Sequence, residues 1–179
     1  MSYYFVSKTR LAIGDYIKPW NFINNENNKL LLIAVEKFFL PKGASAIWGA
    51  IMMDRFYQYR NLEPALIEYI LEAIRAESYP AKKSRFEAIF LWEKPEIAHR
   101  FIEKHRNNAE SYIYICELES GTAETFDMEL INPGMNSEDD PSVQLERLYA
   151  RARAYWNADQ SMEWPETLAW GKVKVISKL

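Results

Sequence analysis

The chain ends in WPETLAWGKVKVISKL, and Glu166 is its most chemically suggestive residue. It follows Trp164 and Pro165 and opens a run that reads as two strands, Thr167–Trp170 and Lys172–Lys178. A carboxylate placed between Trp164 and Trp170 has two readings. It is either a solvated strand terminus or a group held at the mouth of a site. A second charged residue stands out at Arg85, in the basic link AKKSR that leads into the strand-like FEAIFLW. A guanidinium there reads as a partner for a carboxylate such as Glu87, or as a solvated member of the basic link.

Other familiar chemistries lack their parts. No glycine-rich phosphate loop is present, since six glycines are scattered along the chain. The two histidines, His99 and His105, lie six apart on one expected helix, a poor spacing for shared metal ligation. No serine sits in a nucleophile-elbow context. The one cysteine, Cys116, lies in YIYICEL and reads as a buried strand thiol; alone it closes no internal disulfide, which points to a reducing compartment. Lys and Arg number 22 against 25 Asp and Glu, a net charge of −3 that leaves no footprint for sequence-independent nucleic-acid binding. No signal peptide or membrane span is read, so a cytoplasmic protein without membrane contact is expected. Aromatic residues at 15% are abundant enough to line a ligand pocket or a partner surface as well as a core.

The elements that must position these residues follow from periodicity. YYFVS, Tyr3–Ser7, reads as a strand, and LAIGDYIKPW as a loop or short strand. Helices are expected over Leu30–Phe39, Ser45–Tyr59 and Leu62–Glu77. The last has Pro64 in its first turn and a stripe of Leu66, Ile67, Ile70, Leu71 and Ile74. A helix over Pro95–His105 places Ile97, Phe101 and Ile102 on one face. YIYICELES and AETFDMELI alternate as two strands around an SGT turn. PGMNSEDDP reads as an acidic loop, and Ser142–Trp156 as a helix with Val143, Leu145, Leu148, Tyr149, Ala152 and Trp156 inward. No repeat or long linker divides the chain. The order predicts one α+β domain, residues 1–179, with a mixed or antiparallel sheet and an N-terminal helical segment.

Three segments in this order resemble the ADP-ribosyltransferase-like superfamily. YYFVS stands at the first strand. AIFLWEKPEIAHRF has that superfamily's central strand and following helix, with Phe90 near its tyrosine position and Ala98 at its helix alanine. PETLAWGKVKVISKL matches its ending of a glutamate, a strand, a turn and a strand. EAIRAESYPAKKSRFEAIFL is similar to an uncharacterised bacterial and phage branch. The resemblance implies that NAD is the substrate and that ADP-ribose passes to a macromolecular acceptor, a protein before a nucleic acid. It implies Glu166 as the catalytic residue, stabilising the oxocarbenium-like ribosyl group left when the nicotinamide bond breaks. It implies Tyr4, Phe5 and Phe90 around the nicotinamide ring, Ser7 on its amide or ribose, and Arg85 on the pyrophosphate. Small domains of this kind serve as toxins or phage effectors. Phe5 departs from the histidine that holds the adenosine ribose in the best-known branch. That departure favours a catalytically inactive member of the fold acting as a binding or inhibitory factor; a further alternative is an unrelated α+β module that recognises a protein through its aromatic surface.

Overall fold

The computed structural model describes residues 2–19, 63–106, 110–131, 141–158 and 161–179. The helices expected over Leu30–Phe39 and Ser45–Tyr59 lie outside these residues, as does the acidic loop up to Pro141. The described elements run β1 (Ser2–Ser7), β2 (Tyr16–Ile17), α1 (Glu63–Ser78), β3 (Ile89–Leu91), α2 (Pro95–His105), β4 (Tyr112–Asp127), α3 (Pro141–Asn157) and β5 (Pro165–Lys178). The class is α+β, and every described strand pairing is antiparallel. Among the described residues no helix is long and apolar enough to cross a membrane.

Contacts divide the chain into two compact units that interleave in sequence. The first holds the described parts of Met1–Trp20, Phe86–Met128 and Ser161–Leu179, and so every described strand together with α2; the second holds those of Asn21–Arg85 and Glu129–Gln160, including α1 and α3.

In the sheet unit the strands follow the order β1-β4-β5-β2, with β3 also on β5. The circuit of hydrogen bonds closes on itself. β1 pairs with the first half of β4, the rest of β4 with the first half of β5, and that half with β3. Just past β3, Trp92 exchanges two backbone bonds with Tyr4 of β1, at 2.7 and 2.9 Å. Alternation then sends successive side chains to opposite faces. Tyr3, Ile17, Ile89, Leu91, Tyr114, Cys116, Ala169, Val173 and Val175, drawn from all five strands, converge in one buried cluster on the inner face. On the outer face Val6, Trp92 and Ile113 meet Ala98 of α2, with Ile97, Phe101 and Ile102 packed against them. The apolar face expected of Pro95–His105 is therefore the one that α2 buries.

The sequence pattern predicts four strands where the structure has two. YIYICELES and AETFDMELI are one strand of 16 residues, and the two C-terminal runs are one strand of 14. The SGT and Gly171 stretches are bends inside these strands, not turns between them. Gly121 lies directly opposite Gly171, and β4 carries register shifts at Ile115/Cys116 and Leu118/Ser120. Both glycines take positive φ, +115° and +152°. A Cβ on Gly121 would lie 2.1 Å from the Trp170 carbonyl oxygen, and one on Gly171 1.9 Å from that of Ser120. Glycine lets the paired strands bend together without breaking the ladder.

The helical unit rests on α1 and α3. Ile70, Leu71 and Ile74 of α1 are buried, as are Leu148, Ala152, Tyr155 and Trp156 of α3. Trp156 donates its indole N–H to the Leu71 carbonyl at 2.8 Å, which ties the two helices. Val143, expected inward, is 40% exposed at the start of α3.

The glycine pair yields a direct expectation. Gly121→Ala and Gly171→Ala should each destabilise the protein by roughly 2–4 kcal/mol, because both sites combine a positive φ with contact against backbone. Urea unfolding of the two variants checks this, with Gly14→Ala as the comparison, a positive-φ site with nothing within 4 Å of the added Cβ.

Candidate functional site

Glu166 is the second residue of β5. It pairs with Phe126 of β4, while its neighbours Thr167 and Ala169 pair with Leu91 and Ile89 of β3. Ala169 belongs to the inner cluster, so alternation puts Glu166, Leu168 and Trp170 on the outer face. Phe90 lies directly opposite Leu168, and Phe126 directly opposite Glu166. Glu166 and Phe90 are thus diagonal neighbours on one face. Glu166 is 2% exposed, and Phe126 and Leu168 are fully buried. The solvated strand terminus is not what forms here; the carboxylate sits among aromatic and aliphatic side chains.

Tyr4 shares that face. It stands opposite Trp92, two residues beyond Phe90, which makes Tyr4 and Phe90 diagonal neighbours in turn. Phe5 and Ser7 lie on the other side, because adjacent strand residues cannot face the same way. Phe5 packs against the inner cluster. Ser7 is buried at the strand end, where its hydroxyl donates to the Thr9 carbonyl at 2.8 Å and accepts from the Thr9 N–H at 3.1 Å. Of the five first-unit residues singled out in the sequence, three meet on the outer face and two do not.

Arg85 belongs to the helical unit. Its Nε and Nη2 donate to both oxygens of Glu68 at 2.8 Å, and Nη1 donates to the Tyr155 hydroxyl. The side chains are 3% and 13% exposed, so this is a buried bidentate pair. The carboxylate partner is Glu68 of α1 rather than the neighbouring Glu87. A parallel arrangement lies one turn further along α1. There Arg75 grips Glu72 through Nε and Nη2, donates to the Lys82 carbonyl at 2.8 Å, and Ser84 donates to Glu72 at 3.0 Å. Glu68 and Glu72, four apart on one helix face, pin the segment that leads out of α1.

Several groups were invisible to spacing. Asp127 ends β4 and binds the backbone just before β5: Oδ1 accepts the Trp164 N–H at 2.9 Å and Oδ2 the Glu163 N–H at 3.1 Å. The Trp164 ring, fully buried, carries Arg100 at 4.4 Å, Lys104 at 4.8 Å and the His105 ring at 5.5 Å. Arg10 donates Nε to the Tyr112 hydroxyl at 3.0 Å, a bond that raises its basicity, and Lys178 lies 4.9 Å over the Tyr112 ring. Each of these pairings joins residues far apart in the chain, so only the folded arrangement brings them together. Burial pushes the Cys116 thiol up to about 12, leaving it protonated and without nucleophilic character at neutral pH. Among the described residues no group of three or more His, Cys, Asp or Glu is placed to hold a metal.

The chain belongs to the family described as Protein of unknown function (DUF2441), whose model matches residues 3–179. No curated protein matches the chain.

Two outcomes follow from this geometry. Arg85→Met should cost about 3–5 kcal/mol of stability, because it strands Glu68 without its partner, whereas Arg85→Met with Glu68→Leu should cost clearly less than the two single changes summed. A denaturant double-mutant cycle measures that coupling, and additive losses would show the pair to be inert. Cys116 should resist iodoacetamide at pH 8 in the folded protein and react on unfolding, which mass spectrometry resolves.

Proposed function

We propose that the chain is an ADP-ribosyltransferase-like protein that cleaves NAD and passes ADP-ribose to a macromolecular acceptor. The observation that carries the reading is the place of Glu166: a buried carboxylate at the start of the last long strand, on the same outer face as Phe90 and Tyr4. The resemblance of the chain's three segments supplies the chemistry. The bond between C1′ of the ribose and the nicotinamide nitrogen of NAD breaks with its electron pair leaving on nicotinamide, and C1′ of the ADP-ribosyl group becomes cationic. The acceptor's nucleophile closes on C1′ and gives up its proton to water. Glu166 accepts a hydrogen bond from a ribose hydroxyl and offers its charge to the cation. A carboxylate shielded from water exerts that charge more strongly than one at the surface. Phe90 and Tyr4 supply flat apolar surface for the nicotinamide ring. In this proposal Arg85 is structural, since its guanidinium is held by Glu68 and Tyr155.

A second reading, a catalytically inactive protein-binding member, has its own supporting observation. Phe5 packs inward and the Ser7 hydroxyl closes a turn on Thr9, so neither hands the outer face a polar ligand. Calorimetric titration of NAD separates the two. The enzyme reading expects heat from wild type and Glu166→Gln alike, with nicotinamide release lowered about 100-fold or more in Glu166→Gln, the scale of losing one preorganised transition-state group. No heat at millimolar NAD would contradict it and favour the binding role.

A further inference from the structure

The start of β5 is a demanding place to fix a residue. Pro165 has no N–H to give to the ladder, and a sheet of period two reverses every side chain if its register slips by one. Such a slip would move Glu166 from the outer face to the inner one, toward Leu91 of β3, and turn Ala169 and Val173 of its own strand outward. Something must hold the register at this end, where β3 contributes three residues and the long β4 is at its last.

We infer that Asp127 is the positioning residue for Glu166. Its two carboxylate oxygens receive two consecutive backbone amides, Glu163 at 3.1 Å and Trp164 at 2.9 Å, immediately before the proline. The Met128 N–H donates to the Trp164 carbonyl at 2.8 Å, so the Trp164 backbone is held on both sides of its Cα. The ladder then starts at once with Asp127 opposite Pro165 and Phe126 opposite Glu166. The side chain of Trp164 is fixed as well. It is fully buried, and Arg100, Lys104 and His105 of α2 all lie on its ring. Asp127 holds the backbone and α2 holds the ring, and Glu166 is two residues further on. A fork of two charge-assisted bonds to adjacent amides opposes a slip toward Pro165, since the strand would then offer it the proline nitrogen in place of one N–H.

This inference rests on the catalytic reading for its enzymatic arm and on the fold alone for its structural arm. The experiment compares wild type, Asp127→Ala and the nearly isosteric Asp127→Asn, with Glu119→Gln, in the middle of β4 beside Tyr16 and Lys174, as control. Amide hydrogen exchange and the cross-strand NOE between Phe126 and Glu166 report the register without any substrate. In Asp127→Ala, exchange at Glu163 and Trp164 should quicken about tenfold or more and the NOE should weaken, while Val173 and Val175 keep their protection. Asp127→Asn, which retains one acceptor, should fall between. Nicotinamide release from NAD should then drop about tenfold in kcat with KM within about twofold, because positioning is lost and binding is not. Unchanged exchange and an intact NOE in Asp127→Ala would overturn the inference, as would equal losses in kcat and in NAD affinity. If wild type releases no nicotinamide, it is the catalytic reading that fails, and the exchange and NOE arm still decides the role of Asp127.

Discussion

The paired strands β4 and β5 carry the sheet unit, and their continuity depends on two glycines facing each other. Gly121 and Gly171 stand where each added Cβ would strike the other strand's carbonyl backbone. With glycine at both positions the ladder passes through the bend. One half of β4 then reaches β1, one half of β5 reaches β3, and the Tyr4–Trp92 bridge closes the circuit. Without that passage the inner cluster would lose its enclosure, and Glu166 would have no defined face. Local backbone freedom at one point thus sets the packing of five strands.

Alternation along the strands then decides which side chains can act together. It joins Tyr4, Phe90 and Glu166 on the outer face and removes Phe5 and Ser7 to the inner one. Burial adds a second selection. Glu166 lies among Phe126 and Leu168, out of bulk water, where a carboxylate's field is least screened. Arg85 is equally buried, yet its charge is matched by Glu68 and its remaining donor by Tyr155, which makes it part of the helical unit's own structure. The two buried side chains therefore sit in different settings: Arg85 is matched by a bidentate partner within its own unit, and Glu166 shares its face with Phe126 and Leu168.

Much of this was legible before the structure. The helices over Glu63–Ser78, Pro95–His105 and Pro141–Asn157 announce themselves through apolar spacing and prolines near their starts. The strand character of residues around Cys116, Phe126 and Val173 is equally plain. The joins between strands were misread, because a glycine in a bend and a glycine in a turn look alike without the partner strand. The split between Tyr4 and Phe5 follows from strand geometry alone and could have been drawn from adjacency. The Arg85–Glu68 pair could not, since 17 residues separate the two and Glu87 lies closer in sequence. Asp127 carried no signal at all: its partners are backbone amides, which leave no trace in residue identity. Trp156, by contrast, behaves as packing suggests, fully buried with its N–H on Leu71.

The proposal places the nicotinamide ribose on the outer face around Glu166. A crystal structure of the Glu166→Gln variant soaked or grown with NAD tests it most directly. The account predicts a ribose hydroxyl within about 3 Å of the residue 166 side chain, the distance of an ordinary hydrogen bond, with the nicotinamide ring against Phe90 or Tyr4. NAD bound on another surface, or a ribose out of reach of residue 166, would contradict it and return Glu166 to a purely structural place in the strand.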